Sequence, residues 1–394
     1  MLHSPSDLLR AEVEAITDEL VTFRRELHAH PETSRNEFAT TARIAGELEA
    51  LGLTPDPLDV GTGLTVDIDG HDGRLAVALR ADIDALPMSD AKDVDYRSTS
   101  PGATHACGHD VHTTVLLGVA KVLVSLRGQG KLPTGVRLIF QPSEERIPGG
   151  ALDVVAEGRL EGINEVYALH CDPKVQVGRI AIKSGAITSA CDQYLVKLSG
   201  PGGHTSRPQL SADLISALGE IVVQAPLLLS RRIDPRAGAS LMWGRVSAGN
   251  ASNAIPSSGE LAGTLRCLDV DGWRQARELV GPIIESLVAP YGIECTITRT
   301  VGIPPTVNDL TATTRVRSTA GEFLGDDSVV ATHQSLGGED FSEMLLEVPG
   351  AMARLGVRPV GEPTWPDIHQ PDFDVDEDCI GIGVRLLAGL VLTA

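Results

Sequence analysis

Across residues 8 to 51, apolar positions recur every three or four residues with charged groups between them. This predicts two amphipathic helices broken at His30-Pro31. Short apolar runs then alternate with helical stretches. Strands are predicted at 75–79, 136–140 and 166–169, and helices at 111–126 and 150–157. Such alternation belongs to a largely parallel sheet covered by helices. From about residue 186 the rhythm changes to strand 194–198, helix 212–229, strands 240–247 and 260–267, helix 273–287 and strand 294–298. The order βαββαβ is the ferredoxin-like split motif, a complete α+β domain in itself. A helix at 310–323 and a strand at 351–355 return to the first pattern. The chain therefore reads as an α/β domain over 1–185 and 301–394, with a second domain, 186–300, inserted into it.

With 394 residues the chain is long enough for two or three domains, and 42% hydrophobic with 22% charged residues suits packed cores. Its 53 acidic against 33 basic residues leave a net charge of −20, a field that repels phosphate backbones and anionic lipid. Nucleic-acid and membrane partners are therefore not expected, and aromatic residues at 3% leave few platforms for stacking bases. The most apolar runs, 111–120 and 221–230, end in charge short of the roughly 18 residues a membrane span needs. The N-terminal stretch has no basic-then-apolar signal, and six singly placed cysteines fit a reducing cytoplasm.

Polar clusters follow the predicted strands: Arg80-Ala81-Asp82, Ser143-Glu144-Glu145 and His170. In parallel sheets the carboxyl ends of strands form the ligand crevice. Solvated loops explain any one cluster, but not the concentration of metal-ligand types. The sharpest segment is HACGHDVHTT. Cys107 and His109 can reach one cation, with Gly108 allowing the tight turn between them. A helix starting near Asp110 would place its positive end by Cys107 and favour the thiolate. His112, one turn along, and His105 read as packing or supporting groups. Glu144 and Glu145 point in different directions, so one can bind a metal while the other takes a proton from water. A bare Glu-Glu is ordinarily a solvated pair; here Gln141-Pro142-Ser143 and Gly149-Gly150 flank it. His369 stands alone between prolines. His28 and His30 either pair as ligands or fix the helix break. GPGGHTSRP sets His204 on a glycine-rich turn, and with no Lys-Ser/Thr after it this is not a nucleotide loop.

Taken in order, HACGHD, QPSEE, GGA, ALH, GPGGH, SNAIP, GTLR, GGEDFS and IHQPDF resemble the aminoacylase-type metallo-amidohydrolases. That group includes hippurate hydrolases, indole-acetyl-amino-acid hydrolases and acetyldiaminopimelate deacetylases. The resemblance covers nearly the whole chain. It implies a metallopeptidase-like catalytic domain holding two divalent ions, Zn2+ or Mn2+, and an inserted lid that forms a homodimer. By motif it implies Cys107, His109, Glu145, His170 and His369 as metal ligands, with Cys107 bridging both ions, and Glu144 as general base. It implies that His204 stabilises the oxyanion, in the partner subunit's site, and that Asn253 and Arg266 hold the substrate's backbone oxygen or carboxylate. Wider peptidase relatives have His-x-Asp where this chain has Arg80-Ala81-Asp82, and an Asp bridge where it has Cys107. Asp82 is thereby left an orienting role, and the soft thiolate leaves both metals open. The implied reaction is hydrolysis of a small N-acyl amino acid at its amide bond. The alternatives are a dipeptidase or aminopeptidase with the same centre, or a non-catalytic metal- or ligand-binding relative, which the presence of both glutamates disfavours.

Overall fold

Contacts in the computed structural model, which describes residues 4–394, divide the chain into two units. One runs to Gly185 and resumes over Val307–His333 and Asp340–Ala394; the other is Ala186–Thr306 with Gln334–Glu339. The far edge of the insert thus lies beyond residue 300, and a separate short segment joins it. That segment is tied in by backbone and amide bonds. Gln334 Nε2 donates to Thr188 O and Leu268 O at 2.8 and 2.9 Å, and Ser189 N donates to Gly337 O at 3.0 Å.

The first unit is built on an eight-stranded mixed sheet. Its centre is parallel, in the order Gly135–Gln141, Leu75–Asp82, Glu165–Gln176, Gly350–Arg358. Outside these, Leu64–Ile68 and Ile180–Ala181 pair antiparallel. The strand Leu75–Asp82 is buried on both faces towards its end, so Arg80 and Asp82 must find partners inside the protein.

The N-terminal stretch forms three helices where the periodicity predicts two: α1 (Pro5–Glu14), α2 (Thr17–Ala29) and α3 (Phe38–Ala50). Ile16, with φ −114° and ψ 0°, breaks the first from the second. Leu9 and Val13 of α1, and Leu20, Phe23 and Leu27 of α2, then all reach the core. Between the N-terminal helices and the C-terminal helix Asp378–Leu392 runs α4 (His109–Gly128). Gly118 sets that spacing, because a Cβ there would lie 2.6 Å from Val384 and 2.8 Å from Leu20. By length and composition α4 would also pass for a membrane span, contrary to the reading of its apolar run. However, 72% of its most apolar window is buried inside the fold.

The second unit holds a four-stranded antiparallel sheet in the order Ser240–Ala248, Ser258–Cys267, Ala190–Ser199, Glu294–Ile303. Helices Leu214–Ser230 and Val270–Val288 pack on it through Leu218, Ile221, Val280 and Ile284. Each helix opens on an aspartate that accepts a backbone N–H, Asp213 from Ser216 at 3.0 Å and Asp269 from Gly272 at 2.7 Å. Such caps are worth about 1 kcal/mol each.

Candidate metal centre

Gly108 adopts φ +87°, and a Cβ there would lie 2.8 Å from Cys171 Sγ, so the turn into α4 needs a glycine. It brings Cys107 Sγ to 3.5 Å from His170 Nε2. His170 lies within its strand and not past the strand's end, because pairing with Gly350–Arg358 continues to Gln176. Its Nδ1 donates to Cys171 O at 2.8 Å, which leaves a lone pair on Nε2. His109 Nδ1 faces Asp84 O at 2.9 Å and Asp84 Oδ1 at 3.2 Å.

The two glutamates owe their placement to Ser143, a non-glycine residue at φ +57°. Its N–H donates to buried Glu37 at 2.7 Å, and its carbonyl accepts from Gly150 at 2.9 Å. Glu145 N then donates to Asp84 Oδ2 at 3.0 Å. Glu145 Oε1 comes within 3.8 Å of His109 Nε2 and 3.3 Å of His369 Nε2. His369 is itself at φ +63°, with its N–H bonded to Ala106 O at 2.7 Å. Among the described residues only Arg35 shares this conformation with Ser143 and His369 outside glycine. Conformers of this kind cost on the order of 1 kcal/mol or more, and persist where surrounding structure imposes them.

Two donor sets result, Cys107–His109–His170 and Cys107–Glu145–His369, each with ligand atoms within 4.8 Å of one another. The Cys107 sulfur belongs to both. Glu144 is buried and forms a further such group with His109 and Glu145. Thiolate, imidazole and carboxylate donors suit a first-row divalent cation. His109 Nε2 and Glu145 Oε1 are buried without a hydrogen-bond partner among the described residues. Each such atom costs about 1–3 kcal/mol unless something satisfies it, and a cation held by each donor set would do so.

The electrostatics agree. Burial opposes protonation of His109, but Asp82 and Asp84 outweigh it and raise its pKa to about 10. Burial, then Glu145, Glu144 and Asp82, pushes the Cys107 thiol well up. Burial, and then these carboxylates, thus oppose the thiolate that the helix terminus favours, and a bound divalent cation would restore it. Both groups would give up their protons to a divalent cation, so the excess of carboxylate is charge that a cation balances.

Behind the centre lies a buried polar network. Asp82 accepts from His112 Nδ1 at 2.6 Å and from Arg80 at 2.7 Å, and Arg80 donates to Asp340 at 2.9 Å and Gln141 at 2.8 Å. His112 Nε2 accepts from Cys171 N at 2.8 Å. Both nitrogens of His112 are thus occupied, and it supports the strand that carries His170. His105 is fully buried, and burial takes its pKa down to about 3, so it is neutral. His28 bridges Asp110 and Asp90 while His30 bonds Glu26 O, so the two do not form a ligand pair. Asp84 orients His109, while Asp82 takes its orienting role on His112 and Arg80. The signal for Asp84 was the Asp-x-Asp spacing of RADIDALP, in which the second aspartate faces α4.

In the second unit, the short strand Gly203–His204 pairs with Ala254–Ile255, and Thr205 N donates to Asn253 O at 3.2 Å. His204 and Asn253 are therefore neighbours, both exposed. His204 Nδ1 accepts from Ser206 N at 3.1 Å, which leaves the ring proton on Nε2. Arg266 lies in the four-stranded sheet, with Nη1 on Leu336 O at 2.8 Å.

With this geometry in place, comparison with known proteins is informative. N-acetyl-L-cysteine deacetylase of Bacillus subtilis is 35% identical over 92% of this chain and 85% of its own. A Rhodococcus jostii protein named as a glutamate–cysteine ligase is 46% identical over 94% of this chain, which spans only 46% of that relative's length. Among solved structures, a Bacillus subtilis protein described as a dinuclear metal binding peptidase of the M20 family superposes with a TM-score of 0.83. It is 30% identical, with 96% of this chain and 98% of that one covered. The model of Peptidase family M20/M25/M40 matches residues 78–393, from within the strand that ends at Asp82 to the end of the C-terminal helix. The chain belongs to that family.

Proposed function

We propose that the protein is a metal-dependent amidohydrolase that cleaves N-acyl amino acids into a carboxylic acid and a free amino acid. The observation that carries this reading is the sharing of Cys107 by two donor sets, with Glu144 beside them. Cys107, His109 and His170 would hold one ion, and Cys107, Glu145 and His369 the other, as Zn2+ or Mn2+. When bound, divalent ions lower the pKa of water towards neutrality and polarise an acyl carbonyl. Glu144 takes the proton of the attacking water as its oxygen bonds to the acyl carbon. The same carboxyl returns a proton to the nitrogen as the C–N bond breaks. Asp84 keeps His109 in the tautomer that presents Nε2.

The second unit is read as a ferredoxin-like lid, which its βαββαβ order supports. His204 donates from Nε2 to the acyl oxygen, and Arg266 and Asn253 hold the substrate's carboxylate and backbone oxygen. Ile215, Val223 and Leu227 are 50%, 63% and 44% exposed on helix Leu214–Ser230, an apolar surface suited to pairing two lids. We place His204 in the partner's site.

The direct test is release of free amine from a panel of N-acyl amino acids by metal-depleted protein with Zn2+ or Mn2+ added back. About two ions per chain and chelator-sensitive turnover are expected. Full activity in the metal-free protein would falsify this reading. The lid assignment is tested by mixing an inactive Glu144→Ala chain with an inactive His204→Ala chain while subunits exchange. At equal mixing about half of the dimers are mixed, each with one complete site, so about a quarter of wild-type activity is expected. If exchange is confirmed and no activity returns, His204 does not act across subunits.

A further inference from the structure

We propose that Arg24 is a positioning residue that ties together the two walls of the metal centre and holds the His369 side in register. This rests on the metal-centre reading above. The side chain is 1% exposed and lies among three carboxylates. Nε is 2.8 Å from Asp110 Oδ2, as an ion pair and not an aligned hydrogen bond. Nη2 donates to Asp374 Oδ1 at 3.0 Å, and Nη1 to Glu377 Oε1 at 3.3 Å. Its guanidinium carbon also lies 5.0 Å from the centre of the Tyr96 ring, whose hydroxyl donates to Asp374 at 2.7 Å.

These carboxylates come from different places. Asp110 directly follows His109 in the first turn of α4, and there it also pairs with His28 Nδ1 at 2.7 Å. Asp374 and Glu377 belong to the segment that leaves the His369 turn and enters the C-terminal helix. The His369 arm is anchored in the core by Phe373 and Val375, but His369 itself is not packed. Its side chain is 50% exposed and its backbone sits in the left-handed region, so its conformation must be imposed from outside. The contacts that hold the arm include the His369 N–H on Ala106 O, Ala91 N on Pro371 O at 2.8 Å, Lys92 Nζ on Phe373 O at 3.0 Å, Arg25 on Glu377, and the Arg24 bridge. Phe373 lies over Gly108 at the start of α4. Arg24 makes the charged link from the arm to Asp110, next to His109. A planar fork can serve three carboxylates at once, whereas a lysine ammonium is a single point charge.

The expected result is selective. In Arg24→Lys the ion held by Cys107, Glu145 and His369 should bind about ten- to a hundredfold more weakly, as when supporting groups are lost elsewhere. The ion held by Cys107, His109 and His170 should bind within a few-fold of wild type. Asp374→Asn removes one arm of the bridge from the partly exposed side, and is expected to weaken the same ion. It decides the question if the lysine variant does not fold. The measurement is Zn2+ titration of metal-free protein against a competing chelator, with thermal unfolding of the metal-free form alongside. If wild type binds fewer than two ions, the metal reading itself fails. If wild type binds two, and both variants bind two with unchanged affinity while only unfolding temperature moves, Arg24 is structural and the proposal is overturned. Equal weakening of both ions overturns it as well.

Discussion

Glu144→Gln is expected to keep both metal ions and the fold, yet lose roughly a hundredfold or more in kcat. The glutamine has nearly the same shape and cannot accept a proton from water. Glu144 is 8% exposed, so bulk solvent does not readily supply a replacement base. Its neighbour should behave differently. Glu145 Oε1 is the atom that faces both His109 and His369, and its buried lone pairs meet no donor among the described residues. Glu145→Gln removes the charge from that position, so metal occupancy should fall first and turnover with it. Elemental analysis and single-turnover rates on the two variants separate these outcomes. If Glu144→Gln loses metal to the same extent as Glu145→Gln, Glu144 is a ligand and the base lies elsewhere.

The residues that carry this contrast were legible in the sequence, because short motifs fix the local chain. In Cys107-Gly108-His109 the glycine is required by the approach of Cys171, and two donors on either side of it cannot move far apart. The same holds for Glu144-Glu145 after a strand. What escaped the sequence depends on contacts between distant segments. Asp82 has the orienting role expected of it, on His112, but only the packing of α4 shows that Asp84, the second member of the Asp-x-Asp pair, faces His109. The setting of Cys107 is another case. A helix terminus is visible in the pattern, whereas the burial of the thiol and the three carboxylates converging on it are not. Periodicity also merged α1 and α2, since the apolar spacing runs through Ile16 while the backbone does not. The segment Gln334–Glu339 carries no periodic signal, and its place with the second unit is set by hydrogen bonds to Thr188, Ser189 and Leu268.

Cys107→Ala should have the largest effect of any single substitution, because its sulfur is the one atom common to both donor sets. Removing it leaves His109 with His170, and Glu145 with His369, two donors each. The loss should exceed the about ten- to hundredfold that a supporting residue costs, and both ions should leave together. Cys107→Asp is the informative companion. A carboxylate can bridge two cations, and wider relatives that resemble this chain have an aspartate at the bridge. Occupancy should therefore recover in the aspartate variant. Its preference should move from Zn2+ towards Mn2+, because a hard oxygen replaces a soft sulfur. Metal titrations with each ion, on both variants and on wild type, read this directly. Retention of one ion at wild-type affinity in Cys107→Ala would mean that the sulfur serves a single ion. The second ion would then rest on Glu145 and His369 with a further donor, and Glu144, in the same cluster as Glu145, would be the first residue to examine.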